Sequence, residues 1–410
     1  MSLLSNQDSP GQPTIQDIAR KRNQPPPPPV TTVPLWRLGF RPFYLLAAAF
    51  AGVAVPLWLA TFLGVLPATG ASLAWHVHEM VFGFAAAVIV GFLFTAAGNW
   101  TGLPTPRGRH LAALAALWLA GRVAMLFAPA GVAALVDLAF LPLAAWPLYQ
   151  VLQRAGNKRN LFLVGLLALL AALNASFHGA VLGWWPLDPV HPLESAILVL
   201  VIIESVMGGR VIPMFTANTL GGVQPVVNPR RDRLTVALLA ASALAWTLGV
   251  PGPATAALCV AASMAVLLRV LGFMPHRTLR HPLLWVLHLS YAWLSIGLFL
   301  LGLAALGLVS DSAGFHALGI GATAGLVIGM LTRTALGHTG RPLQAGRAET
   351  VMYLALHAGA VLRVLASLQV MDYSVGLLVA SAACWSTAFI LYVVVYGPYL
   401  VRPRLDGKDG

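Results

Sequence analysis

The chain is dominated by long apolar runs, which are separated by short segments rich in proline, glycine or charged residues. A helix that crosses a bilayer needs about 20 mostly apolar residues. Dividing the sequence at its polar segments gives about twelve such runs, at approximately 40–66, 75–97, 111–128, 131–152, 160–182, 192–214, 234–250, 253–273, 283–308, 316–335, 350–370 and 375–400. The pattern therefore predicts an all-α integral membrane protein with about twelve transmembrane helices.

The composition supports the membrane class. Hydrophobic residues make up 58% of the chain and charged residues only 9%, whereas soluble proteins carry about 25% charged residues. Cys259 and Cys384 each stand alone in an apolar run, without zinc or CxxC spacing, so we interpret them as small hydrophobic residues. The sequence has no glycine-rich phosphate loop, nucleophilic triad or nucleic-acid-binding pattern, which argues against those function classes.

The basic residues predict the orientation of the helices, because Lys and Arg are enriched in cytoplasmic loops. With the N-terminus in the cytoplasm, every loop that contains Lys or Arg falls on the cytoplasmic side. The basic residues of these loops and of the C-terminal tail are Arg107, Arg109, Arg154, Lys158, Arg159, Arg230, Arg231, Arg233, Arg277, Arg280, Arg341, Arg347, Arg402, Arg404 and Lys408. We therefore predict that both termini are cytoplasmic and attribute the net charge of +12 to topology.

The two ends of the chain differ from the predicted membrane domain, residues 35–401. Residues 1–34 contain five consecutive prolines (25–29) and a basic cluster (20–22), but no apolar segment followed by a cleavage site. We therefore predict a disordered, proline-rich cytoplasmic tail rather than a signal peptide. Residues 402–410 form a short, basic cytoplasmic tail.

The second and tenth predicted helices share one pattern. His78 is followed by Gly91 and then by Thr-Gly-x-Pro (101–104), while His316 is followed by Gly329 and then by Thr-Gly-x-Pro (339–342), at a constant offset of 238 residues. We interpret helices 1–2 and 9–10 as copies of one helical hairpin, with His78 and His316 at equal depth. The small residues of both helices allow either close helix packing or space for a flat cofactor, and both interpretations stay open here.

Histidines cluster at one depth of the predicted bundle. His76, His78, His178, His191 and His316 fall near the non-cytoplasmic ends of helices, beside the carboxylate at position 79. Imidazole is a common ligand of copper, zinc and haem iron. Because His76 and His78 would point about 200° apart on a regular helix, they can share one metal only if the first turn is distorted. The pattern predicts a copper or zinc site completed by His316.

Other ionisable residues lie inside apolar runs, where they need partners or a cavity. Asp137, Glu194 and Glu204 are acidic, and Arg122 and Arg363 are basic. Charged pairs or a route for protons are both consistent with them. At predicted helix ends, Arg210 and Arg333 are candidates for binding carboxylates, because guanidinium pairs with carboxylate through two hydrogen bonds.

Five segments together resemble the NnrS family of bacterial inner-membrane proteins. They are GFRPFYLL (39–46), WHVHEMVFGFAAAVIVGFLFTAAGNWTG (75–102), GGRVIPMFTANTL (208–220), HPLLWVLHLSYAWL (281–294) and HALGIGATAGLVIGMLTRTALGHTGRPL (316–343). The resemblance runs from about residue 35 to residue 400 and leaves out the proline-rich tail.

The resemblance implies a twelve-helix protein of the bacterial inner membrane that binds haem and copper and takes part in denitrification and in the response to nitric oxide stress. Its partners would be the lipid bilayer, nitric oxide or a related small ligand, and an unidentified electron donor. Haem b is expected rather than haem c, because the sequence has no CxxCH motif.

The resemblance and the predicted depths together give a set of expected site residues. Copper is expected at His76, His78 and His316. Haem is expected at His288, with His338 or His178 as the other axial ligand. The candidate partners of the haem propionates are Arg210, Arg333 and Arg41, and the candidate proton-linked acids are Glu79 and Glu204.

Three functions are consistent with these residues. The first is a haem–copper protein that binds or redox-processes nitric oxide or its metal adducts, which includes an oxidoreductase. The second is a membrane transporter of a metal or small metabolite, although repeat helices that stand eight apart do not divide the chain into equal halves. The third is a haem-binding sensor or assembly factor without turnover.

Overall fold

The computed structural model describes residues 33–67, 70–369 and 374–408, so nearly all of the predicted N-terminal tail lies outside the described residues. Within these ranges the chain is helical and contains no strand, as predicted. Its twelve long helices are α1 (Phe40–Phe62), α2 (Leu73–Thr101), α3 (Gly108–Phe127), α4 (Ala130–Arg154), α5 (Leu161–Val181), α6 (Val190–Leu220), α7 (Pro229–Thr247), α8 (Gly252–Gly272), α9 (Pro282–Ala305), α10 (Asp311–His338), α11 (Arg347–Ser367) and α12 (Ser374–Val401).

Eleven of these twelve helices are long and apolar enough to cross a membrane. The exception is α7, whose first turn contains Arg230, Arg231, Asp232 and Arg233. The sequence pattern placed the start of this helix at residue 234, after these charges. The helix begins earlier because the side chain of Asn228 accepts hydrogen bonds from the backbone N–H groups of Arg230 and Arg231 and so caps its N-terminus.

Four helices form the interior of the bundle. The apolar segments of α2, α6, α9 and α10 are mostly buried by neighbouring helices, whereas those of α5 and α12 are mostly at the periphery. Small residues permit this close packing. A Cβ atom at Gly91 of α2 would lie 2.9 Å from the side chain of Phe43 on α1, and one at Gly329 of α10 would lie 2.7 Å from that of Leu287 on α9. The equivalent glycines of the predicted repeat therefore make equivalent helix contacts.

The repeat extends to an uncommon feature of the backbone. Each of α2 and α10 begins with six α-helical residues, Leu73–His78 and Asp311–His316, and then continues as a π-helix, Glu79–Ala85 and Ala317–Ala324. After both helices the chain turns at a glycine with positive φ, Gly102 (67°) and Gly340 (75°). π-Helical turns are rare and often occur at functional sites, so their matching register supports the interpretation of α1–α2 and α9–α10 as copies of one hairpin.

The π-helix of α10 offers a test of this packing. A Cβ atom at Gly321 would lie 2.3 Å from the ring of Trp293, whereas one at Gly319 would have no neighbour within 4 Å. We expect Gly321→Ala to destabilise the protein by about 1–3 kcal/mol through overpacking, and Gly319→Ala to have little effect. Thermal unfolding of both variants in detergent measures the difference, and equal melting temperatures would contradict the packing described here.

The charge pattern and the twelve helices together predict the topology. Both termini are cytoplasmic only if α7 crosses the membrane with the other eleven helices. We expect green fluorescent protein fused to either terminus to fluoresce, and alkaline phosphatase fused to either terminus to be inactive, because the phosphatase needs the oxidising exterior to form its disulfides. Phosphatase activity at one terminus only would show an odd number of crossings and would exclude α7 as a span.

Candidate functional site

Six polar side chains from four consecutive helices meet inside the bundle and are here called the Asp137 cluster. They are His78 and Glu79 of α2, Arg122 of α3, Asp137 of α4, and Asn174 and His178 of α5. All of them are at least nine-tenths buried. Because apolar surroundings make an unpaired charge very costly, the meeting of these groups explains how ionisable residues are accommodated in α2, α3 and α4.

The Arg122 guanidinium joins the two carboxylates of the cluster. Its Nη1 donates to Oε2 of Glu79 at 2.7 Å, and its Nη2 donates to Oδ1 of Asp137. Gly83 provides the space for this arrangement, since a Cβ atom there would lie 2.6 Å from Oε2 of Glu79 and 2.8 Å from Nη1 of Arg122. Trp118, one turn before Arg122 on α3, donates from Nε1 to the carbonyl oxygen of Gly83 at 2.9 Å. The π-helix of α2 is thus held against α3.

His78 completes the charge balance of the cluster. Its Nδ1 lies 3.1 Å from Oε1 of Glu79, and its Nε2 lies 3.2 Å from Oδ2 of Asp137 and 3.0 Å from Oδ1 of Asn174. All three neighbours accept hydrogen bonds, so both nitrogens are satisfied when His78 carries two protons and a positive charge. Two cations then face two carboxylates, and the buried cluster is neutral.

The same geometry makes the cluster a candidate metal centre. Ligand atoms of His78, Asp137 and His178 all lie within 4.8 Å of one another. The Nε2 of His178 is 3.1 Å from Oδ2 of Asp137, the oxygen that His78 also contacts. Two imidazoles with a carboxylate suit copper, zinc or iron. A bound ion would replace the protons that these side chains now share.

The three histidines that we expected to share copper lie in two places. His76 and His78 both belong to the regular α-helical turn Leu73–His78, so they point to opposite sides of α2. Unlike His78, His76 lines a cavity of about 420 Å³, here called the His76 cavity, and His316 lines the same cavity. The structure therefore brings His76 and His316 to one cavity and His78 to the Asp137 cluster.

A second cavity of about 420 Å³, here called the His338 cavity, lies between α2, α6 and α10. His338 and Arg210 line it together, as do Met207, Met214 and Met330. His338, an expected haem ligand, and Arg210, a candidate partner of the haem propionates, thus line one cavity. Arg210 also donates from Nη1 to Oδ1 of Asn160 at 3.0 Å.

Positions related by the repeat line both cavities. In the His76 cavity the related pairs are Leu73 and Asp311, Val77 and Phe315, and Val81 and Gly319; in the His338 cavity they are Phe92 and Met330, Ala96 and Thr334, and Trp100 and His338. The two hairpins therefore face each other across both cavities, at the His76 cavity near the start of α2 and α10 and at the His338 cavity near their ends.

The remaining expected haem and propionate residues make other contacts. His288 donates from Nδ1 to the carbonyl oxygen of Leu284 at 2.9 Å, and its Nε2 lies 3.2 Å from Oγ1 of Thr216, so both ring nitrogens have partners. The guanidinium of Arg333 lies 4.0 Å from the centre of the Phe215 ring. Arg41 donates to the carbonyl oxygens of residues 400 and 402 and so holds the end of α12.

The two proposed proton-linked acids differ in their surroundings. Glu79 is fully paired within the Asp137 cluster. Glu204 of α6 has a buried Oε2 with no hydrogen-bond partner in the described part of the chain. It stands between Leu200, which lines the His76 cavity, and Met207, which lines the His338 cavity. Leu200, Glu204 and Met207 follow helical spacing, so this carboxyl group lies on the face of α6 that passes from one cavity to the other.

Sequence reasoning missed Asn174 and Gly83 as parts of the cluster. A local signal was available for each. Asn174 is an amide within an apolar run and precedes His178 by four residues, so the two lie on one face of α5. Gly83 follows Glu79 by four residues, again one helical turn, so it marks the surface of α2 next to that carboxylate.

Comparison with protein families identifies the relationship of the whole membrane domain. The sequence model described as "NnrS protein" matches residues 34–404. The search of curated proteins gave no match.

The Asp137 cluster predicts a specific stability pattern. Arg122→Gln would leave one uncompensated buried negative charge, and loss of one partner of a buried ion pair costs about 3–5 kcal/mol. We expect this variant to be strongly destabilised in chemical or thermal unfolding in detergent. The double variant Arg122→Gln/Glu79→Gln restores charge neutrality and is expected to recover part of the loss. A double variant less stable than Arg122→Gln alone would contradict the charge balance.

Proposed function

The chain belongs to the NnrS family, and from that premise we propose that it is a haem–copper protein of the bacterial inner membrane that binds or redox-processes nitric oxide at an intramembrane metal centre. Membership of this family supports the assignment of the chain as a membrane protein of the nitric oxide response. The single observation that carries the proposal of a metal centre is the convergence of His78, Asp137 and His178 inside the bundle.

We assign copper to the Asp137 cluster, because its residues fit that ion. Two imidazole nitrogens and a carboxylate oxygen converge there, and copper binds imidazole well. The carbonyl oxygen of Asn174 lies 3.0 Å from Nε2 of His78 and is the next available donor. Of the three histidines expected to bind copper from sequence, His78 is the one placed beside two further ligand side chains.

The surrounding residues would orient these ligands. The carboxylate of Glu79 accepts from Nδ1 of His78 and directs Nε2 towards Asp137. Partners of this kind, which bind the remote nitrogen of a ligating histidine, fix its tautomer and ring orientation. Arg122 fixes the second oxygen of Asp137 in the same way. The cluster is therefore held in place before any ion binds.

The apolar bundle gives nitric oxide direct access to such a centre. A small uncharged gas enters the hydrocarbon region of a bilayer and needs no polar channel. When bound, copper would supply an open coordination position, and haem iron would supply exchangeable electrons. The protein's own part is to hold these groups, to exclude bulk water from the Asp137 cluster, and to hold the proton on Nδ1 of His78 against Glu79.

The proposal is tested with the purified full-length protein. We expect copper by mass spectrometry, a haem spectrum in both oxidation states, and a spectral change on addition of nitric oxide under reducing conditions. His178→Gln should lower copper content, because loss of even a group that orients a ligand weakens metal binding by about 10–100-fold. His276→Ala, at an exposed position in a loop, is the matched control and should keep wild-type copper.

Two results would contradict this proposal. Wild-type protein that lacks haem or lacks copper, or that shows no spectral response to nitric oxide, would contradict the proposed function. Copper retained in full by His178→Gln would leave the function in place and move the copper site away from the Asp137 cluster.

A further inference from the structure

The His76 cavity combines features that neither the Asp137 cluster nor the His338 cavity has together. It is lined by residues of α1, α2, α6, α10, α11 and α12. Its walls are largely apolar and aromatic, with Trp58, Phe84 and Trp385 among them. Its polar lining comprises the imidazoles of His76 and His316, the guanidinium of Arg363, and the carboxylates of Asp188, Glu194 and Asp311. Cavities of 300–1,000 Å³ with apolar walls and a few convergent polar groups are typical sites for small molecules and cofactors.

The ring of His76 is buried and stacked, and one of its nitrogens has no hydrogen-bond partner among the described residues. The residue is only 8% exposed, and Nδ1 is wholly buried without a hydrogen bond in the described ranges. The indole of Trp58 stacks on it, with ring centres 4.1 Å apart and planes 16° apart. A buried polar atom without a partner is costly, and a ligand in the cavity would offset that cost.

His316 presents the opposite edge of its ring to a ligand. Its Nδ1 lies 2.7 Å from the carbonyl oxygen of Ser312, to which it donates. The proton of the neutral ring is therefore on Nδ1, and the lone pair is on Nε2. A ring whose remote N–H donates to a backbone carbonyl is the usual arrangement of a metal-binding histidine.

The guanidinium of Arg363 donates to two serine hydroxyl groups. Its Nη2 donates to Oγ of Ser312 at 3.1 Å, and its Nη1 donates to Oγ of Ser367. Neither hydroxyl carries a charge, and no salt bridge joins Arg363 to a carboxylate in the described part of the chain. A carboxylate group of a ligand in the cavity would pair with this guanidinium through two hydrogen bonds.

We propose that the His76 cavity holds the haem, with His76 and His316 as its two axial ligands and Arg363 as the partner of a haem propionate. This assignment rests on the proposed function only in taking haem as the cofactor. Haem b is a large, flat, apolar group with two carboxylates and an iron that accepts imidazole, which matches the aromatic walls, the cation and the two histidines. By contrast, both ring nitrogens of His288 are occupied, and His338 lines its cavity as a single histidine.

The test uses the full chain purified in detergent, with haem content, optical spectra and low-temperature electron paramagnetic resonance as readouts. Wild-type protein is expected to contain low-spin haem with the signals of two imidazole ligands. His76→Gly and His316→Gly should each lose haem or change it to a five-coordinate, high-spin form, and added imidazole should restore the low-spin spectrum. His288→Ala and His338→Ala are the matched controls and should keep the wild-type spectrum.

The outcomes separate this inference from the proposed function. Wild-type protein without haem removes the function and the assignment together. Low-spin haem that persists in both glycine variants, or haem that is lost in His338→Ala, overturns the assignment and leaves a haem protein. Arg363→Gln should weaken haem retention relative to Arg363→Lys, and equal retention in the two variants would remove Arg363 from the site.

Discussion

Two carboxylates are buried in the apolar bundle, and the arrangement of helices α2 to α5 depends on pairing them. The guanidinium of Arg122 on α3 binds the carboxylates of Glu79 on α2 and Asp137 on α4, and Asp137 in turn accepts hydrogen bonds from α5. None of these groups can turn towards lipid without a large cost in free energy. Their pairing therefore selects one rotation of each helix about its axis, whereas apolar side chains alone would tolerate several.

That selection also determines which way the histidines of α2 point. Once Nε2 of His78 faces Asp137, the regular turn that carries both histidines directs His76 to the other side of the helix, towards Trp58 of α1 and the His76 cavity. The charged cluster thus sets the orientation of the cavity wall without touching the cavity. The π-helices that follow His78 and His316 begin at the same register in both hairpins, so the two halves of the cavity wall share one backbone conformation although their paired side chains differ.

The sequence predicted the helices well, because the length of a bilayer-spanning helix and the absence of charge are properties of single segments. It also predicted the repeat, because a constant offset needs no knowledge of packing. The sequence did not predict the partners of His78, because Asp137 and Asn174 are 59 and 96 residues away along the chain. Which of twelve similar apolar helices packs beside α2 is decided by side-chain fit, and hydropathy carries little of that information. Depth and the repeat grouped His76, His78 and His316, and a shared site required a distorted first turn of α2. That turn is a regular α-helix, so His76 and His78 point to opposite sides.

The opposed directions of His76 and His78 have a consequence for the chemistry of the bundle. The two side chains project from opposite sides of the same helical turn. A metal centre at the Asp137 cluster and a cofactor in the His76 cavity would therefore be separated only by α2. A change of charge at either site would act on the other through this turn, because little water is present to screen it. Coupling of this kind needs no moving domain, and it follows from placing two imidazoles two residues apart on a regular helix.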